Sequence, residues 1–158
     1  MIGKKRKLGK KIQQIEIGER VQHDHAIKDQ DILLYSGLTN DANPLCIQHD
    51  YASQTSFKRP IVPTAMLTGI VTSLVSRELP GPGCYIQDIH LSFPTPTYHY
   101  RNVSLQLTAQ SMNVDQNELV VQVHASNEEG EDLITGTLTV QPPKEVDALN
   151  GTSLDNFY

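Results

Sequence analysis

The sequence predicts an α+β fold, a single domain in which an antiparallel sheet wraps around one central helix. Two observations lead to this fold class: an apolar helical pattern from Thr64 to Glu78, and a change to alternating apolar residues in the segments after it. The length of 158 residues suits one domain, because a chain of this size buries roughly two thirds of its unfolded surface.

The chain before the central helix begins with an extended segment, residues 15–27, and continues into a first short helix. Asp29 or Asp31 is placed to cap this helix, which would run through the apolar residues 32–35. Gly37 is expected to help end it, because glycine is a poor helix former.

Short connections lead from there to the central helix. Residues 41–46 combine Asp, Asn and Pro, which favour a turn. Residues 49–57 are expected to form a second small helix, and Pro60 and Pro63 punctuate the chain after it.

The central helix is predicted over residues 64–78. Its apolar positions repeat at three- and four-residue spacing: Met66, Leu67, Ile70, Val71, Leu74 and Val75. So apolar a helix belongs in the core. The Pro80–Gly83 stretch ends it.

Four strands are predicted after the helix. Apolar residues alternate at Ile89, Leu91 and Phe93, at Val103, Leu105 and Leu107, and at Leu119, Val121 and Val123, and residues 133–140 are rich in Thr, Leu and Val. Hairpin turns are expected at residues 114–118 and 127–130. One central helix with this sheet is a hotdog arrangement. Without an internal repeat, a homodimer is expected to cover the remaining apolar edges.

The charge distribution divides the chain into three predicted parts: a basic flexible tail over residues 1–11, the hotdog domain over 12–143, and a polar tail over 144–158. The first part holds six of the 13 basic residues, so the remainder carries about -11 in formal charge. That is a poor surface for nucleic acid, and no nucleic-acid partner is expected. The basic part is either a solvated tail or an arm that attracts coenzyme A phosphates or an acidic carrier protein.

The composition also limits location and cofactors. No stretch is long and apolar enough to span a membrane, and the basic N-terminus lacks the apolar core of a signal peptide, so a soluble, cytoplasmic protein is expected. Cys46 and Cys84 are expected to be free thiols. No metal site is supported, since His90, His99 and His124 are isolated in the sequence and His23 and His25 are expected to face solvent.

Three sequence blocks carry a resemblance to a known family. They are Asp-Ala-Asn-Pro-Leu-Cys at 41–46, Phe-Lys-Arg-Pro-Ile-Val-Pro-Thr-Ala-Met-Leu at 57–67 and Leu-Pro-Gly-Pro-Gly at 79–83. In order and spacing they resemble the MaoC-like, (R)-specific enoyl-CoA hydratases, whose pattern reads about as S-G-D-x-N-P-(I/L)-H, F-x-x-P-I-V-H-G-M-L and L-P-G-x-G. The resemblance implies a hotdog fold and a role in fatty acid metabolism.

The resemblance also implies a reaction and a site. In that family an Asp and a His hold the water that adds across the double bond of a trans-2-enoyl thioester, and a helix-start N–H binds the thioester oxygen. Asp41 occupies the Asp position, and the amide of Thr64 or Ala65 is the implied oxyanion donor. Asn43 is expected to contact substrate. The implied substrates are enoyl or (R)-3-hydroxyacyl thioesters of coenzyme A or acyl carrier protein, with no dissociable cofactor.

Cys46 stands where the family has its His. An unperturbed cysteine is mostly protonated at neutral pH and is a poor general base, so Cys46 is expected to be an inert buried residue or to line the substrate site rather than to move protons. His49, three residues later, could replace the missing imidazole if both residues share one helical turn; the alternative is an exposed histidine at the start of the next helix. The alternatives are a non-catalytic acyl-thioester-binding hotdog and, less favoured because no mid-helix carboxylate is present, a thioesterase.

Overall fold

The computed structural model describes residues 7–145, which form a single hotdog domain, as the sequence predicts. The elements are a 3-10 helix at Ile12–Gln14, strand β1 at Arg20–Ala26, helices α1 at Asp29–Thr39, α2 at Pro44–Ile47, α3 at His49–Ser53 and α4 at Thr64–Glu78, and strands β2 at Tyr85–Ser92, β3 at Asn102–Asn113, β4 at Glu118–Ser126 and β5 at Asp132–Gln141. Among the described residues, no helix combines the length and apolar character needed to cross a bilayer.

The sheet has the strand order β1-β3-β4-β5-β2, and every neighbouring pair is antiparallel. The four strands expected after the central helix are confirmed. The opening extended segment adds a fifth, because β1 pairs with β3 along its whole length. β1 and β2 are therefore the two edges of the sheet.

The core lies between α4 and the inner face of β3, β4 and β5. The helix has the bounds that its apolar spacing predicts, and it buries Leu67, Val71, Leu74 and Val75. The strands contribute their alternating apolar residues, including Leu105, Leu107, Leu119, Val121, Leu138 and Val140, to the same cluster. The two hydrophobic periodicities of the sequence thus meet in one core.

The helices before α4 differ from the sequence prediction in their bounds. α1 continues past Gly37 to Thr39, because one glycine costs a helix only about 1 kcal/mol; Asn40 ends it in the left-handed conformation, at φ 56°. Asp31 caps α1 by accepting a hydrogen bond from the backbone N–H of Lys28, at 3.0 Å. The predicted helix over residues 49–57 is shorter and ends at Ser53.

The N-terminal segment contacts the turn that follows α4. The N–H of Gly9 donates to the carbonyl of Pro82 and the N–H of Lys10 to that of Pro80, both at 2.8 Å. A Cβ at Gly9 would lie 2.7 Å from the carbonyl carbon of Gly81, so only glycine fits this close approach. Part of the segment predicted as a basic tail is therefore bound to the domain, and residues 1–6 lie outside the described residues, as does most of the predicted C-terminal tail.

Candidate functional site

Asp41 lies in a tight turn between α1 and α2. Its Oδ1 accepts a hydrogen bond from the backbone N–H of Asn43 at 3.2 Å, and its Oδ2 lies 3.5 Å from the hydroxyl of Tyr35. Asn43 in turn caps α2, because its Oδ1 accepts from the N–H of Leu45 at 3.0 Å. The turn fixes the Asp41 carboxylate against the backbone and leaves Oδ2 directed at the Tyr35 hydroxyl.

Cys46 is buried within α2, with 6% of its surface exposed. Burial raises the pKa of its thiol above the ordinary value, and the nearby Asp41 carboxylate raises it further. Both influences act against the thiolate, so the thiol is neutral at physiological pH. Cys46 therefore has the properties of a small buried residue beside Asp41, and not those of a base or nucleophile.

His49 does not stand one helical turn from Cys46. The extended backbone of Gln48, at φ -116° and ψ 109°, separates α2 from α3, so the i to i+3 relation proposed from the sequence is wrong. His49 is exposed at the start of α3. Its charge lowers the pKa of Asp29, although less than the hydrogen bonds from Tyr100 and His99 do. The structure thus places it near the start of α1.

The start of α4 presents free backbone N–H groups. Pro63 is the N-cap and makes no side-chain capping bond, so the amides of Thr64 and Ala65 keep their hydrogens available, as the first N–H groups of a helix do. The positive end of the helix dipole lies at the same place. The N–H of Ile61 donates to the carbonyl of Leu45 at 3.2 Å, which holds this helix start beside the segment that carries Asp41 and Cys46.

A groove of about 520 Å³ runs between α1, α4 and the inner side of β1. That volume lies within the range of about 300–1,000 Å³ typical of small-molecule sites. Its apolar lining is Leu34 and Leu38 of α1 and Met66 and Ile70 of α4. Tyr35 and Ala65 also line it, which connects the groove both to the Asp41 carboxylate and to the start of α4.

The groove contains two side chains that were expected to face solvent. On β1, the half-buried residues alternate with exposed ones, and His23 and His25 belong to the half-buried set. Both line the groove. The prediction was wrong because alternation along a strand identifies its two faces but does not say which face turns inward.

A contact between a histidine and an aspartate, His99 and Asp29, lies outside the groove lining. His99 Nδ1 is 2.7 Å from Asp29 Oδ1, and this contact ties the loop before β3 to the first turn of α1. The hydrogen bonds from Tyr100 and His99 hold the pKa of Asp29 below its ordinary value. The sequence offered no signal for this pair, since its partners are 70 residues apart.

Comparison with known proteins decides the family. The family model for the MaoC like domain matches residues 11–131, which is most of the chain. The chain belongs to the MaoC-like domain family. Curated relatives include the (R)-specific enoyl-CoA hydratases of Aeromonas caviae, 24% identical over 83% of this chain and 98% of that protein, and of Rhodospirillum rubrum, 29% identical over 82% and 89%.

Other relatives and solved structures agree with this assignment. A mitochondrial 3-hydroxyacyl-[acyl-carrier-protein] dehydratase of Solanum lycopersicum is 25% identical over 84% of this chain and 80% of that protein. The structure of an (R)-hydratase from Pseudomonas aeruginosa superimposes with a TM-score of 0.81 at 21% identity, covering 87% of this chain and 88% of that one. At this identity the superposition supports the MaoC-like hotdog fold.

The MaoC-like domain therefore brings together most of the residues selected from the sequence. Asp41, Asn43 and Cys46 lie in one turn and its following helix, and the hydrogen bond from Ile61 to Leu45 joins that helix to the segment that leads into Thr64 and Ala65. Within residues 7–145, no three His, Cys, Asp or Glu side chains converge as metal ligands. Among the histidines discussed from the sequence, His49 and the pair His23 and His25 have surroundings that differ from the prediction.

Proposed function

We propose that this protein is a hydratase or dehydratase of enoyl or (R)-3-hydroxyacyl thioesters, carried on coenzyme A or an acyl carrier protein. The observation that carries the proposal is that one apolar groove is lined both by Tyr35, whose hydroxyl lies 3.5 Å from the Asp41 carboxylate, and by Ala65 in the first turn of α4. Membership of the MaoC-like family and its (R)-hydratase and carrier-protein dehydratase relatives support the same reaction class.

The proposed reaction adds water across a carbon–carbon double bond. The thioester oxygen binds to the Thr64 or Ala65 N–H, which stabilises the negative charge that develops there as the β carbon is attacked. The Asp41 carboxylate holds the attacking water, whose oxygen bonds to the β carbon and whose proton leaves to a base. A proton is returned to the α carbon, so the reaction is balanced without any cofactor.

Cys46 supports a second candidate function, a non-catalytic acyl-thioester-binding protein. Its raised pKa keeps the thiol neutral at the position where the resembling hydratases have their imidazole. A protein with a cysteine in place of this histidine would keep the groove and the oxyanion donor but would lose the group that transfers the proton. A thioesterase has less support, because α4 carries its single carboxylate, Glu78, at its last residue.

Incubation of the purified protein with crotonyl-CoA and longer enoyl thioesters separates these functions, with enoyl absorbance and free thiol followed together. Loss of the double bond without thiol release supports the hydratase, whereas thiol release supports the thioesterase. Tight binding of butanoyl-CoA without either reaction supports the binding protein. In that case Cys46→His should create hydration, because positioned proton transfer contributes about 10²- to 10⁴-fold.

A homodimer is also part of the proposal. Leu33, Leu34 and Leu38 of α1 expose 66%, 73% and 88% of their surfaces, and the edge strand β2 exposes Tyr85 and Ile89. An apolar helix face and an open sheet edge on one domain favour self-association. Light scattering at micromolar concentration should give twice the monomer mass, and a monomer throughout that range would contradict the proposal.

A further inference from the structure

The inner face of β1 is unusual for a sheet that packs on a helix. Residues opposite each other in an antiparallel pair lie on the same face. His23 is opposite Leu105 and His25 is opposite Val103, and both of those β3 residues are fully buried in the core. Two imidazoles thus occupy positions on the helix-facing side, where the neighbouring strand has only apolar side chains.

Neither ring is held by the rest of the protein. No hydrogen bond or ion pair within residues 7–145 engages the His23 or His25 side chain, and their ring centroids are 6.2 Å apart. Both face a groove whose exposed lining is mostly apolar. The other charged or titratable groups in that lining are Asp31 and Tyr35 of α1 and Arg77 of α4. Free polar groups converging on an apolar groove are typical of a ligand site.

The end of β1 that carries His25 lies next to the start of α4. The N–H of Tyr100 donates to the carbonyl of Ile27, two residues after His25, at 2.8 Å. In the same loop Tyr98 forms a β-bridge with Ile61, three residues before α4 begins. One loop therefore joins the end of β1 to the helix start that carries the free N–H groups, and His25 is closer along β1 to this junction than His23.

We propose that His25 is the acid–base catalyst of this groove, a role that rests on the proposed hydratase function. In hydration, the unprotonated ring nitrogen of His25 takes a proton from the water that bonds to the β carbon. The resulting imidazolium returns a proton to the α carbon, so the imidazole is regenerated and one water is consumed. Asp41 orients the water, and His23 is a neighbouring groove residue that contacts the acyl thioester.

The test compares three single substitutions with the same change of side chain: His25→Gln, His23→Gln and His124→Gln. His124 is the matched control, because it pairs with Asp132 on the β4–β5 hairpin and does not line the groove. We expect His25→Gln to lower kcat about 10²- to 10⁴-fold with a small change in KM, since a proton-transfer group acts mainly in the transition state. The pH dependence of kcat should also differ from that of the parent, since the group that moves the proton is gone. His124→Gln should keep the parent's kcat and pH profile.

Two results would overturn the proposal, and they are distinguishable from each other. If the parent hydrates enoyl thioesters and His25→Gln keeps its kcat and its pH profile, the function stands and another residue moves the proton. If the parent hydrates none of them, the proposed function and the catalytic role of His25 fail together. Histidine ring NMR with butanoyl-CoA, an unreactive saturated thioester, then decides whether the groove binds acyl thioesters at all: shifts at His23 and His25 but not at His124 would leave a binding protein.

To guard against a folding defect, each variant is compared by its urea midpoint with the parent. His25→Asn provides a second reading at the same position, since it removes the imidazole and is smaller than Gln. Loss of kcat in both variants with an unchanged midpoint supports the proposal. Retention of kcat in either variant contradicts it.

Discussion

β1 and β3 are adjacent strands of one sheet, yet their inner faces have opposite characters. The inner residues of β3, among them Val103, Leu105 and Leu107, are completely enclosed by α4 and the neighbouring strands. Those of β1 include His23 and His25, which are half-exposed in a groove. Burial in this sheet therefore depends on which strand the central helix covers, as well as on which face of the sheet a residue occupies.

The largest expected effect concerns the covered strand. Leu105→Ala should lower the free energy of unfolding by about 2–5 kcal/mol, because it removes a fully buried side chain and leaves a cavity. His23→Ala, directly opposite on β1, should change it by less than about 1 kcal/mol. Urea denaturation of both variants measures the contrast. Equal losses would mean that the groove is closed and packed in solution.

A smaller free-energy effect is expected at Asp41, whose carboxylate lies 3.5 Å from the hydroxyl of the groove residue Tyr35. Asp41→Asn should lower the rate of enoyl hydration by at least about 100-fold, because the neutral amide orients water poorly and cannot share its proton. The turn itself should persist, since the Asn side-chain oxygen can accept from the Asn43 N–H as the carboxylate does. Steady-state kinetics measure the rate, and urea denaturation measures whether the fold is kept. An Asp41→Asn protein with the parent's rate would show that the carboxylate does not take part in the reaction.

A still smaller effect is expected at Asn43, the N-cap residue of α2, which lies outside the core between α4 and the sheet. Asn43→Ala should cost about 1 kcal/mol of stability, because the N–H of Leu45 loses its acceptor. Asn43→Asp keeps an acceptor oxygen and is the matched control. Thermal unfolding distinguishes the two, and equal midpoints would show that this cap does not stabilise the domain.

The smallest effect is expected at the Asp29–His99 contact, where α1 begins. The pKa of Asp29 is lowered in the folded protein by hydrogen bonds from Tyr100 and His99, so the ionised carboxylate stabilises the fold above its ordinary pKa of 3.8. That stabilisation is lost as the pH falls through the lowered pKa. Asp29 is half exposed, so the contribution should be below about 1 kcal/mol.

Asp29→Asn should therefore be slightly less stable than the parent at neutral pH, and the two proteins should converge below pH 3.8. Urea midpoints across this pH range measure the difference. A gap that widens on acidification would contradict the assigned direction of the pKa.

The candidate catalytic residues were chosen from short spacings along the chain, whereas the groove also includes residues that are distant from them in sequence. The residues between 41 and 46 were selected as one block, and they form a turn and the start of α2, which the side chains of Asp41 and Asn43 hold by hydrogen bonds that each span two residues. His49 was selected by a helical spacing that the extended Gln48 interrupts. The groove histidines were missed, because their alternation with polar neighbours gives no apolar signal along β1.

The sequence was enough to predict the hotdog class, the bounds of α4, the four strands after it and the family, since these depend on spacings of two to four residues and on motifs that are continuous in the chain. Only the tertiary structure decided that β1 joins β3 as an edge, that its histidines turn toward α4, and that Asp29 meets His99. Each of these depends on contacts between residues far apart in the chain. Helix α4 covers β3, β4 and β5 and leaves the inner face of β1 open to a groove.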